Sequence, residues 1–90
     1  MFITSYIADR KENDLFSNKK DYGQLLRTLR DRLDLTQERL AAKLDVTFAS
    51  VNRWENGRTK PSRLATKQIE KFVRSLEGSE DLVYEYFDKK

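Results

Sequence analysis

The chemistry open to this sequence is that of guanidinium, ammonium, carboxylate and amide groups, because its 90 residues include neither histidine nor cysteine. Without an imidazole, a serine nucleophile has no histidine base to activate it. A transition-metal site would have to be built from carboxylates alone, an uncommon donor set. Gly23, Gly57 and Gly78 stand far apart, so no clustered glycine loop can cradle a phosphate. These features exclude most catalytic classes. The sequence reads as a non-enzyme with no metal, no cofactor and no small-molecule ligand in evidence.

Recognition chemistry remains, and it concentrates in the middle of the chain. Between Thr36 and Arg63 six basic residues (Arg39, Lys43, Arg53, Arg58, Lys60, Arg63) face three acidic ones (Glu38, Asp45, Glu55). From Ser79 onward Glu80, Asp81, Glu85 and Asp88 outweigh Lys89 and Lys90. A basic middle beside an acidic tail suits a polyanionic partner for the middle. Taken by itself, the pattern also suits ordinary solvated surface. Asn52 and Arg53 stand adjacent inside the basic stretch, and their side chains can pair bidentately with adenine and guanine edges respectively.

Such groups need rigid elements to position them, and the helical signals arrive in series. Asp21 caps a first helix, with Gln24 three residues on as a variant capping box. Leu26, Leu29 and Leu33 recur at helical spacing beside Leu25, predicting a helix over Tyr22–Leu33 that Asp34-Leu35 breaks. Thr36 caps a second helix of about eight residues, with Leu40, Ala41 and Leu44 as its apolar stripe. Asp45 marks a sharp turn, since aspartate tolerates the left-handed conformation better than most residues. Val46 enters the core and Thr47 caps a third helix carrying Val51 and Trp54, ended by Asn56-Gly57. Ser62 caps a fourth, whose Leu64, Ile69, Phe72, Val73 and Leu76 are expected to face inward until Gly78 stops it.

The ends are less patterned. Ser79-Glu80-Asp81 provides a cap and an acidic first turn for a short fifth helix near residues 80–88. Short strands are the alternative there, because Val83 to Phe87 is rich in strand formers. Residues 1–20 form an N-terminal extension of undetermined order, 21–78 the principal domain and 79–90 a C-terminal element. The fold class is all-α, a compact bundle of about five short helices.

Two short helices joined by a tight turn, with the second capped and closed by glycine, describe either a helix-turn-helix or a plain helical hairpin. Ala41 is small where the two helices would cross, and Val51 would pack on Leu40 and Leu44. Leu35-Thr36-Gln37-Glu38-Arg39-Leu40-Ala41, then Val46-Thr47, then Trp54-Glu55-Asn56-Gly57-Arg58-Thr59-Lys60-Pro61 resembles the Cro and lambda-type repressor family over roughly residues 22–75. The resemblance implies that the helix at Thr47–Asn56 enters the DNA major groove. It also implies that Arg30 bridges to Glu55 and pins the first helix to the third. Two positions depart from the family, which usually has glycine at Asp45 and a polar residue at Phe48.

On a wheel of about 100° per residue, Val51, Trp54 and Glu55 cluster opposite Ala49, Asn52, Arg53 and Asn56. Recognition helices read bases mainly with their N-terminal residues, which selects Phe48, Ala49, Asn52 and Arg53 as base contacts. Phe48 and Ala49 can meet a thymine methyl, or the Phe48 ring can fold back beside Val51. Arg53 can pair with guanine or with phosphate. Phosphate contacts are expected from helix starts (Gln37, Thr47, Ser50) and from the loop residues Asn56, Arg58, Thr59 and Lys60, with Arg63 a weaker candidate.

The function expected is a sequence-specific DNA-binding transcriptional regulator acting as a repressor. It would bind double-stranded DNA as a homodimer, because one small module buries too little surface alone. Leu82, Val83, Tyr84, Tyr86 and Phe87 are the candidate dimer surface, or else they complete the monomer core. The alternative is an antitoxin that binds its own operator and uses residues 1–20 as an arm for a toxin protein. The absence of cysteine, of a secretory signal and of any long apolar run predicts a cytoplasmic protein without membrane contact.

Overall fold

The computed structural model describes residues 20–89, in which five α-helices and no strand occur. They are α1 (Tyr22–Leu33), α2 (Gln37–Leu44), α3 (Phe48–Glu55), α4 (Arg63–Arg74) and α5 (Glu80–Val83). Helix α5 continues into a π-helical turn over Tyr84–Asp88, closed by the Lys89 N–H donating to the Tyr84 carbonyl at 2.7 Å. Of the expected arm at residues 1–20, residues 1–19 lie outside the described residues.

Local chemistry sets most helix ends. The side chains of Asp21, Thr36, Thr47 and Ser62 accept from the backbone N–H groups of Gln24, Arg39, Ser50 and Ala65 at 3.0–3.1 Å. Each fills one of the donors a helix start leaves open. The Gln24 amide turns to the Thr28 hydroxyl, so the reciprocal half of a capping box is not made. At the C-termini Asp34 (φ 56°), Asp45 (φ 61°) and Gly57 (φ 74°) adopt the left-handed conformation. Behind each, the next N–H reaches five residues back: Leu35 to Arg30, Val46 to Ala41 and Arg58 to Arg53. Three successive helices thus end in the same closing motif.

The core joins Leu25, Leu26 and Leu29 of α1 to Leu40, Ala41 and Leu44 of α2, Val51 and Trp54 of α3, Ala65, Ile69 and Val73 of α4, and Leu82 of α5. Gly23 is buried where α1 meets α3. A Cβ there would stand 2.5 Å from the Trp54 carbonyl oxygen, so only glycine allows this approach.

Three expectations are corrected. Leu64 is 70% exposed rather than inward-facing. The buried stripe of α4 runs Ala65, Ile69, Val73, and Leu64 lies about 100° away from its first member. Helix α4 also ends at Arg74, with Ser75 as its cap, rather than at Gly78, whose φ of 81° belongs to the following turn. Ser79 is buried, but its hydroxyl makes no capping hydrogen bond.

The C-terminal element is helical because its apolar residues recur four apart. Leu82 enters the core, and Val83, Tyr86 and Phe87 pack against it half-buried. The rings of Tyr86 and Phe87 lie 6.2 and 6.3 Å from that of Tyr22. Arg32 pairs with Asp81, and Arg74 with Asp88, tying the tail to α1 and α4. Of the tail's apolar residues, Tyr84 alone is largely exposed, at 60%.

Candidate nucleic-acid interface

Helices α2 and α3 pack closely across the Asp45 turn, with Leu40 and Leu44 buried alongside Val51. The Thr47 hydroxyl accepts from the Ser50 N–H and donates to the Ser50 hydroxyl at 2.9 Å, which fixes the first turn of α3. Burial then divides α3 into two faces. Val51, Trp54 and Glu55 are buried, whereas Phe48, Ala49 and Arg53 are exposed and Asn52 is half-buried. Phe48 is 47% exposed and lines a shallow depression with Thr36, Gln37 and Glu38. Its ring is therefore not part of the core.

A chain of polar contacts underlies the exposed face. Arg30 donates from Nε and Nη2 to the two carboxylate oxygens of Glu55, both at 2.8 Å. Gln37 Nε2 donates to Glu55 Oε1 at 3.0 Å, and Gln37 Oε1 accepts from Asn52 Nδ2 at 3.1 Å. Asn52 Oδ1 in turn accepts from Asn56 Nδ2 at 3.2 Å. Arg27 donates to the Glu55 carbonyl and brings its guanidinium within 4.0 Å of the carboxylate. The structure thus gathers Arg30, Gln37, Asn52, Glu55 and Asn56 into one network spanning α1, α2 and α3.

Glu55 is 5% exposed, and burial alone pushes its carboxyl up. The hydrogen bonds from Arg30 and Gln37, with the charges of Arg30 and Arg27, overcome this and hold it below its ordinary value. The carboxylate therefore stays ionised, and its negative charge is spent inward on arginines of α1. The outer face of α3 keeps the exposed guanidinium of Arg53.

Beyond α3 the chain runs exposed through Asn56, Gly57, Arg58, Thr59 and Lys60, and Arg63 follows exposed in the first turn of α4. Gln37 sits in the first turn of α2 and Ser50 in that of α3, which Thr47 caps, so all three residues lie at helix starts, where backbone N–H groups lack intrahelical partners. Arg27 was missed from the sequence, although it lies three residues before Arg30 and hence on the same side of α1. The link from Gln37 to Glu55 had no sequence signal, since 18 residues separate the two. Among the described residues, no cluster of three or more acidic side chains is placed to hold a metal, and no helix is long and apolar enough to cross a membrane.

Comparison with known proteins agrees with this geometry. The chain is 33% identical over 67 residues to the HTH-type transcriptional activator BcrR of Enterococcus faecalis. The match takes in 70% of this chain but only 33% of that protein's length. No solved structure matches. The helix-turn-helix family profile matches residues 26–73, from within α1 to within α4. With more than half of the chain covered and the two-helix unit at its centre, the protein belongs to the helix-turn-helix family of DNA-binding proteins, Cro/C1 type.

Proposed function

We propose that the protein is a sequence-specific transcriptional regulator that inserts α3 into the DNA major groove. The observation that supports this most is the division of α3 into a pinned face and an exposed one. Glu55 is anchored by Arg30, while Phe48, Ala49 and Arg53 project outward with Asn52 beside them. Recognition helices contact base edges mainly from their N-terminal residues, here Phe48 and Ala49, and Asn52 and Arg53 follow one turn further along the same side of α3. The exposed loop of Arg58, Thr59 and Lys60, with Asn56 and Arg63, would run along the phosphate backbone and set the register.

Binding as a homodimer follows from size, because one module of this kind buries too little surface for tight selective binding. Half-sites would then lie about 34 Å apart, one turn of DNA. The mode of action we favour is repression. Occupying a site is enough to block a promoter, whereas activation requires a further contact with the transcription machinery.

The test is selection of sites from a random DNA pool, followed by a reporter bearing the selected site. An inverted repeat with half-sites one turn apart and a lowered reporter output are expected. A pool that yields no enriched sequence would reject specific binding. A raised output would reject repression alone.

A further inference from the structure

We infer that Glu55 is a positioning residue for base readout: through Gln37 it sets which way the Asn52 amide faces the DNA. This rests on the proposed major-groove reading and deepens it.

The argument follows from donors and acceptors. An ionised carboxylate only accepts, so Gln37 must present its NH2 group to Glu55 Oε1, as it does at 3.0 Å. That leaves Gln37 Oε1 on the other side, where it accepts the Asn52 NH2 at 3.1 Å. Asn52 Oδ1 is thereby turned toward Asn56, whose NH2 it accepts at 3.2 Å. Each amide alone could flip at small cost, because its oxygen and nitrogen have nearly the same shape. In series with a buried anion none of them can, since a flip anywhere sets oxygen against oxygen. Arg30 completes the device by holding both carboxylate oxygens at 2.8 Å, so the carboxylate itself has one orientation.

After these contacts Asn52 keeps one amide N–H and one oxygen lone pair. That is the complement of adenine, which offers an N7 acceptor beside an N6–H donor in the major groove. An amide already locked in the reading orientation loses less freedom on binding than one that must first choose. Gln37 and Glu55 thus contribute to the preference at a base pair neither of them touches. The same chain connects that preference to α1, because Arg30 belongs to α1.

The experiment has two arms on the full chain. In the free protein, NMR should show a through-hydrogen-bond coupling from the Gln37 side-chain nitrogen to the Glu55 carboxyl carbon. A coupling absent, or running instead from the Gln37 side-chain nitrogen to the Asn52 side-chain carbonyl carbon, overturns the relay without reference to DNA. In the second arm the selected duplex is compared with duplexes carrying the other base pairs at the position Asn52 faces. Asn52→Ala should remove the adenine preference by roughly 10- to 100-fold. Gln37→Met, which leaves the Arg30–Glu55 pair intact, should remove most of the same preference, and it should have no further effect on that preference in the Asn52→Ala background. The preference ratio is read rather than affinity, so a lost phosphate contact at Gln37 does not mimic the result. A Gln37→Met protein that keeps full adenine preference overturns the inference. If wild-type protein shows the coupling but no base preference anywhere, the major-groove reading itself fails, and the two failures are distinct.

Discussion

Arg30 and Glu55, 25 residues apart in sequence, meet as a two-pronged pair in which the carboxylate side chain is 2% exposed and the guanidinium 28%. The pair is the mechanical link between α1 and the exposed helix α3. Removing Arg30 would leave a buried carboxylate with Arg27 and Gln37 as its remaining partners. Arg30→Met is expected to destabilise the fold by about 3 kcal/mol, near the lower end for breaking a buried pair. A double-mutant cycle with Glu55→Gln in urea unfolding measures the coupling, and additive effects would disprove it.

The same carboxylate gives stability a pH dependence. Its value is lowered in the folded protein from an ordinary 4.5. A group depressed on folding stabilises above its unfolded value, and that contribution is lost as pH falls through the folded value. Asp81, held at about 2 by Arg32, acts with the same sign at lower pH. Urea midpoints measured downward from neutral pH should therefore fall below about pH 5. In Glu55→Gln the fall should be shallower, and an unchanged acid limb would show that Glu55 does not contribute.

Gly23 offers a test in which two effects have opposite signs. In an open helix, Gly→Ala stabilises by roughly 0.5–1 kcal/mol. Here the new methyl would stand 2.5 Å from the Trp54 carbonyl oxygen and 3.3 Å from Glu55 Cα, both backbone atoms. Overpacking of this kind typically costs about 1–3 kcal/mol, and it should win. Gly23→Ala should be less stable in urea and bind DNA more weakly, because α3 is what must move. A more stable variant would place α1 farther from α3 than the structure has it.

Base and phosphate contacts separate by their response to sequence and salt. Arg53→Ala should reduce affinity for the selected site by about 1–3 kcal/mol while sparing unrelated duplexes. Lys60→Ala should weaken all duplexes alike and flatten the salt dependence by roughly one unit of slope. Equal losses on cognate and random DNA would move Arg53 to the phosphate contacts, leaving Phe48, Ala49 and Asn52 as readers. An unchanged salt slope would remove Lys60 from the backbone.

The sequence alone determined the starts of the first four helices and the stops of the first three, because these depend on bonds that close within a few residues. Asp21, Thr36, Thr47 and Ser62 cap from three residues away, and Asp45 takes the left-handed turn expected of it. Periodicity likewise placed Val51 and Trp54 on the inner face of α3 and Arg53 on the outer one. It failed at Leu64, where an apolar residue in the first turn of α4 matches the pattern loosely but stands off the buried stripe. The tail, open between helix and strand from its sequence, is helical, and Tyr86 and Phe87 lie beside Tyr22 of α1, a contact between residues 64 and 65 positions apart that no local pattern reports. Only the tertiary structure could decide how Arg27, Gln37, Asn52 and Asn56 converge around Glu55. Spacing reports which residues share one helix face, whereas the faces of three different helices meet according to how the whole core packs.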